Sequence, residues 1–194
     1  MEVIPVIKTN IKGIDLQFET SSDVFSPHNI DLGTLTMLST LEFEQEDKVL
    51  DLGCGYGVVG VLAAKIIGAE NVTMVDVSEE AVNLAKKNAK LNNVPEVKIY
   101  QSDGLLELQE SNFTKILSNP PYHANFSVPK QFIEKGFNRL ELSGRMYMVT
   151  KRKKWYMNKL ISVFGGVKIT EENGYYVFMA EKKSYKYANK KRRK

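Results

Sequence analysis

The sequence holds one cysteine, Cys54, among 194 residues. A single thiol forms no intrachain disulfide, which fits a reducing, cytoplasmic setting. No uninterrupted apolar run approaches membrane-spanning length. Residues 1–10 lack the long apolar stretch of a signal peptide, so no membrane association is expected. Histidine is scarce as well: only His28 and His123 occur. Neither lies near Cys54 in sequence, and Cys54 is flanked by glycines, so it reads as a small turn residue rather than a nucleophile. Acid is missing from residues 182–194, which hold eight Lys/Arg. The net charge of +4 becomes −4 without that stretch. The C-terminal end is therefore either a solvated, frayed terminus or an arm attracted to phosphate. Tyr185 and Tyr187 offer base stacking within it. A second basic cluster is Lys151-Arg152-Lys153-Lys154.

What remains is ordinary for a soluble globular chain, with 43% hydrophobic and 26% charged residues. The length suits one domain with a substantial core. No linker or internal repeat divides it. Residues 11–18 alternate after Gly13 and read as a hairpin strand. Ile30, Leu32, Leu35, Leu38 and Leu41 recur at near-helical spacing, which predicts a helix over 30–43. From Asp47 onward strands and helices alternate. Strands are expected at 48–51, 71–77, 97–101, 113–118 and 144–150. Helices are expected at 58–67, from Ser78 as N-cap, at 129–140 and at 154–164. Asn173-Gly174 predicts a tight hairpin turn between strands at 167–170 and 175–180. The pattern is that of an α/β, doubly wound, mostly parallel sheet with helices on both faces and an antiparallel C-terminal hairpin.

The central stretch is Asp51-Leu52-Gly53-Cys54-Gly55-Tyr56-Gly57, between a strand and a helix. Such a turn lets a ligand approach bare backbone near a helix N-terminus. Gly55-x-Gly57-x-x-Gly60 matches the dinucleotide fingerprint, and Asp76 ends the next strand near the position of a ribose-binding acid. Both NAD and S-adenosylmethionine suit that pattern. Asp51 separates them. A carboxylate at the strand end repels a pyrophosphate but suits an ammonium and a sulfonium. Asp103 follows the third strand of the series, in Gln101-Ser102-Asp103-Gly104. Ligands of open α/β sheets bind at these carboxyl ends.

Asn119-Pro120-Pro121-Tyr122 follows the fourth strand and so joins the same rim. The prolines stiffen the loop. An Asn-Pro-Pro-Tyr turn after a strand resembles that of the amino-methyltransferases, and the resemblance implies as acceptor an exocyclic base amine, whose lone pair is delocalised into the ring. To attack a methyl sulfonium it must be drawn toward tetrahedral geometry. An Asn oxygen and a nearby backbone carbonyl accept its two N–H bonds and aim the nitrogen. The same dipoles stabilise its developing positive charge, and Tyr122 stacks on the base. The candidate catalytic residues are Asn119, Pro120 and Tyr122, with Tyr122 and His123 as substrate contacts. A base inside a helix is out of reach, so the target is flipped or single-stranded. No metal is expected.

These motifs resemble those of the Rossmann-like S-adenosylmethionine-dependent methyltransferases. Val24-Phe25-Ser26, Asp31-x-Gly33-Thr34, Asp51–Gly57 and Asn119-Pro120-Pro121-Tyr122-His123 are similar to the small-subunit ribosomal RNA guanine methyltransferases, over residues 14–182. Ala124-Asn125-Phe126 departs from the glycine-containing continuation common in that family. The resemblance implies a methyl donor held by Asp51, Gly53, Cys54, Gly55 and Gly57 at its methionine end. Asp76 and Val77 would meet the ribose region, and Ser102 and Asp103 the adenine end. Phe25, Ser26 and Asn119 complete the cofactor set. Residues 1–182 are then one catalytic domain, with an entry hairpin and helix over 1–45 and the core over 46–182. Residues 183–194 form a basic tail. The expected activity is methylation of a guanine amine in small-subunit ribosomal RNA, with ribosomal RNA or the small subunit as partner.

Three alternatives share the motifs. Release-factor glutamine methyltransferases also use Asn-Pro-Pro-Tyr but usually carry an N-terminal helical recognition domain, and only about 45 residues precede the core here. DNA adenine methylation ordinarily needs a larger target-recognition region. A module that only docks on RNA would not need Asp51, Asp76, Asp103 and Asn119 intact.

Overall fold

A computed structural model of the chain describes residues 6–21, 29–121 and 126–188. Its main sheet is built from strands whose residues are apolar on both faces. β3 (Val49–Leu52), β4 (Val72–Asp76) and β6 (Phe113–Ser118) are buried almost throughout. Such runs belong to parallel strands covered on two sides. β5 (Lys98–Gln101) buries one residue in four and forms an edge. With β7 (Leu140–Thr150), β8 (Lys168–Glu172) and β9 (Tyr175–Glu181), the order is β5-β4-β3-β6-β7-β9-β8. β9 alone runs antiparallel to its neighbours, β7 and β8. The Asn173-Gly174 turn has positive φ at both positions, +54° and +75°, as a tight hairpin with right-handed twist requires.

The pleat divides the core. Val49, Met74 and Leu117 face one layer, against α1 (Leu32–Ser39), α2 (Val58–Ile67) and α3 (Glu79–Leu91). Leu50, Val75 and Ile116 face the other, against α4 (Ser127–Arg139) and α5 (Lys153–Phe164). The chain steps from β3 through β4 to β5 in one direction and from β6 to β7 in the other. The switch point therefore lies between β3 and β6, where open α/β sheets hold ligands.

Helix α1 is shorter than the expected 30–43. Asp31 caps it, its carboxylate accepting from the Thr34 amide at 2.8 Å, and the Thr40 hydroxyl ends it on the Met37 carbonyl. Strand β7 starts at Leu140, earlier than the expected 144, and absorbs an irregularity near Ser143, where φ is +67°.

The hairpin of β1 (Val6–Ile11) and β2 (Ile14–Glu19) forms a separate two-stranded sheet. Two asparagines of α3 serve β2 as a partner strand would. Asn88 and Asn92 each accept an amide and donate to a carbonyl, of Glu19 and Gln17 respectively. Asn88 also donates to the Tyr56 carbonyl in the glycine turn, so it ties the hairpin to the switch point. Its side chain is fully buried. Asn88→Ala leaves these backbone groups without partners. It is expected to cost about 1–3 kcal/mol or more, read as a melting temperature several degrees lower.

The opposite end of the sheet is closed by a buried ion pair between Lys115 and Asp47. Burial pushes the Asp47 carboxyl up. Hydrogen bonds from Lys115, the Glu44 amide and the Thr114 hydroxyl outweigh that and hold it below the usual range. The stretch expected to be a tail from 183 is packed as far as Ala188. The Ala188 amide donates to Val163, and Tyr187 lies edge-on to Phe137 with its hydroxyl on the Glu134 carbonyl. Tyr187 is thus a packing residue rather than a base stacker, whereas Tyr185 is 78% exposed. Residues 189–194 lie outside the described residues.

Candidate active site

Strand β3 delivers Asp51 to the rim and the chain then turns on three glycines with positive φ, Gly53, Gly55 and Gly57. At Gly57, φ is +98°, and a Cβ would stand 2.8 Å from the Met74 methyl. Gly60 serves packing: a Cβ there would come within 2.5 Å of the Met74 side chain, so the glycine brings α2 down onto β4. The turn is pinned from β4. The Gly53 and Cys54 amides both donate to the Val75 carbonyl, at 2.9 and 3.0 Å.

The two acids of this turn differ in surroundings. Asp51 is 3% exposed and accepts one amide, from Gly60, at 2.9 Å. Burial pushes its carboxyl up to about 7; the nearby Asp76 charge adds to this and the Gly60 hydrogen bond opposes it. Asp76 is half-buried and accepts from the Gly55 and Ser78 amides, at 2.9 and 3.0 Å. It thereby braces the glycine turn and the start of α3 together. Cys54 is buried, and its thiol is pushed well up by burial and by the charges of Asp51 and Asp76. A thiol held protonated in this way is a poor nucleophile.

The third acid, Asp103, is exposed at the start of the turn after β5. Ser102 beneath it is buried. Its amide donates to the Asp76 carbonyl and its hydroxyl to Glu107, which also accepts from the Asp103 amide. Val77 is 64% exposed beside them. Phe132 of α4 packs beneath both glycine turns, at Gly53 and Gly104.

Asn119 leaves β6 across the switch point. The Ser118 hydroxyl ties that strand end to the Leu52 carbonyl at 2.7 Å. The Asn119 side-chain nitrogen donates to the Asp31 carboxylate at 2.8 Å and to the Thr34 hydroxyl at 3.0 Å. A carboxylate only accepts, so the nitrogen must face α1 and the amide oxygen is turned away from it. Asp31 and Thr34 were legible as part of a motif and as a helix start, but not as partners of a residue 88 positions away.

A cleft of about 310 Å³ joins these parts. Asp51, Gly53, Cys54, Gly55, Asp76 and Val77 line it, as do Ser102, Asp103 and Asn119. Gly57 stands just behind it at the start of α2, and Pro120 is buried beside Pro121. Phe25, Ser26, Tyr122 and His123 lie outside the described residues. Among the described residues no group of three acid, histidine or cysteine side chains is placed to hold a metal ion. No described helix is long and apolar enough to cross a membrane. The cleft offers buried negative charge on one side and an oriented amide on the other. It suits a cationic ligand beside a group that donates N–H bonds.

Residues 15–179 match the family model described as methyltransferase small domain. The chain is 34% identical over 191 residues to the uncharacterized protein YbxB of Bacillus subtilis, covering 92% of this chain and 95% of that one. It is 32% identical over 173 residues to the ribosomal RNA small subunit methyltransferase C of Shewanella amazonensis, covering 87% of this chain and 50% of that protein. It is also similar to a solved structure of a T. thermophilus 16S rRNA N2 methyltransferase in complex with AdoMet and guanosine. The TM-score is 0.80 at 26% identity, over 94% of this chain and 51% of the other. The chain thus spans nearly all of YbxB but about half the length of the ribosomal RNA methyltransferases it matches.

Proposed function

The chain belongs to the methyltransferase small domain family, and from that premise we propose that it methylates the exocyclic amine of a guanine in small-subunit ribosomal RNA, with S-adenosylmethionine as donor. One observation carries the reading. A cleft with a buried carboxylate, Asp51, opens at the switch point onto Asn119, whose amide is oriented by Asp31 and Thr34.

The residues present fit the donor. Asp51 carries one amide bond and little solvent, so an ammonium in the cleft would relieve its burial. Asp76 has lone pairs left after its two amide bonds for ribose hydroxyls, with Val77 beside it. Asp103, on the turn held by Ser102 and Glu107, would accept from the adenine amine. Gly53, Cys54 and Gly55 would form the backbone wall at the methionine end, with Gly57 supporting the turn at the start of α2, and Phe25 and Ser26 would complete the site. When bound, the donor supplies an electrophilic methyl on a sulfonium, which leaves as a neutral sulfide.

The protein's part is placement. The Asn119 oxygen and a backbone carbonyl of the Asn119-Pro120 turn accept the amine's N–H bonds and hold its lone pair toward the donor. The same dipoles stabilise positive charge as it develops on the nitrogen. The base is flipped or single-stranded when it enters. Tyr122 would stack on it, with His123 at the neighbouring backbone.

Incubation with methyl-labelled S-adenosylmethionine and, separately, total RNA, each ribosomal subunit and a release factor tests the reading. Label is expected in the RNA of the small subunit. Label confined to the release factor would replace the reading with glutamine methylation.

A further inference from the structure

We propose that Lys151 to Lys154, with the Phe126–Trp155 stack beside them, form a docking ridge for single-stranded RNA at the mouth of the cleft. The inference rests on the reading of the cleft as an RNA methyltransferase site.

The ridge and the acceptor loop leave neighbouring strands at one rim. Ser118, the last residue of β6, pairs with Met148 two residues before the end of β7, so Asn119 and Lys151 leave neighbouring strands at the same rim. Lys151 to Lys154 follow Thr150, and all four are exposed. Phe126 resumes the described chain just after the acceptor loop. Its ring stacks on Trp155 at 4.4 Å and 15°, and the Arg152 guanidinium lies over it at 5.2 Å. A guanidinium plane on an aromatic pair is a platform on which a base can stack.

Among the described residues, three of the four cations have no acidic partner. Lys151 and Lys153 stand over the rings of Tyr175 and Tyr176, at 4.9 and 4.8 Å. Lys153 also reaches Glu171 at 3.5 Å, in a contact exposed on both sides. Among the described residues, Lys151, Arg152 and Lys154 form no ion pair. Lys153 and Lys154 also occupy the first turn of α5, where a helix disfavours positive charge. Four like charges so placed gain from a polyanion.

Their location sets them apart from the acids of the cleft. Asp51 and Asp76 stand at the carboxyl ends of β3 and β4, and Asp103 two residues past β5; the cations follow β7 on the other side of the switch point. The acids suit a cationic donor and the cations a phosphate backbone. Asn119 lies between them. The first of the described C-terminal cations, Lys182, does not share this position: its amide donates to the Gly144 carbonyl, near the other end of β7 from Lys151. Ala188 is anchored at Val163, near the far end of α5 from Lys153.

The test uses the full chain and a short fluorescein-labelled single-stranded RNA, titrated over a potassium chloride series. A variant with Lys151, Arg152, Lys153 and Lys154 all changed to Gln is expected to bind about tenfold or more weakly. Its salt slope should fall by about 2–3, at roughly 0.7 per lost phosphate contact. Binding of S-adenosylmethionine should be unchanged. Arg152→Lys keeps the charge and loses the plane; about fivefold weaker binding at an unaltered salt slope would mark stacking. RNA affinity and salt slope unchanged in the Gln variant would overturn the ridge. Loss confined to a chain lacking residues 189–194 would overturn it too, and assign docking to the tail. In both cases methyl transfer to RNA by the wild type would leave the cleft's reading standing. A wild type that neither binds nor methylates RNA would sink both.

Discussion

Asp51→Asn should make the ligand-free protein more stable at pH 8 and a poorer binder of S-adenosylmethionine. Asn is nearly isosteric and its oxygen still accepts from the Gly60 amide, so packing is kept. What changes is charge. The Asp51 carboxyl is pushed up to about 7 by burial and by Asp76, against about 3.9 in an unfolded chain. Between these values the folded protein holds a proton that the unfolded chain has released. Stability therefore falls as pH rises from about 4 to about 7 and is flat above, as far as this group is concerned. The full difference is about 4 kcal/mol, a ceiling on what Asn can recover. The melting temperature of the variant minus that of the wild type should be near zero at pH 4 and positive at pH 8.

Binding runs the other way. A cation in the cleft favours the ionised carboxylate, so wild-type affinity should rise up to tenfold per pH unit toward pH 7 and then level. Asn lacks that charge. Loss of one partner of a buried charged pair costs about 2 kcal/mol or more, hence a Kd about 30-fold higher at pH 8. The variant's affinity should also lose its pH dependence below 7. A variant that binds as well as the wild type and shows the same pH profile would remove Asp51 from the ligand's contacts. The stability held back at Asp51 is then stored for binding, a trade common at functional sites.

Asn119→Ala separates binding from transfer. The side chain faces α1 with its nitrogen, at Asp31 and Thr34, and its oxygen turned the other way. Removing it takes away a preorganised acceptor and leaves the glycine turn and the acids intact. The expected result is a fall in kcat of about 10²–10³-fold with the Kd for S-adenosylmethionine within a few-fold of wild type. Equal loss of cofactor binding would make Asn119 a structural strut of the cleft. Unchanged transfer would exclude it from the reaction.

Much of this was readable in local pattern. The buried strands announce themselves as short apolar runs that end in glycine or acid, as at Leu50-Asp51-Leu52-Gly53 and Val75-Asp76. Helix α2 has the bounds its sequence gives, and Ser78 caps α3 through the Ala81 amide. What escaped is what joins distant positions. Asn88 and Asn92 look like ordinary polar residues of a helix, and only the fold brings the bare edge of β2 to them. Asp31 was visible in a motif, but its bond to Asn119 spans most of the site. Lys115 sits in a strand as any exposed lysine would, and is buried because Asp47 stands opposite. The basic C-terminal stretch read as free because charge dominates its composition. Tyr187 and the buried Lys182 hold its first part down, the latter through the Leu140 carbonyl at 2.6 Å. Periodicity encodes which face a residue takes, not which remote group it will meet.

The proposed delivery of a methyl group from this cleft to a guanine amine of ribosomal RNA can be read out at the nucleoside. RNA methylated in vitro with labelled S-adenosylmethionine, digested to nucleosides and resolved by mass spectrometry, tests it directly. The label is expected in guanosine carrying one methyl on its exocyclic nitrogen, and to vanish with Asn119→Ala. Label in adenosine, or in protein with none in RNA, would contradict it.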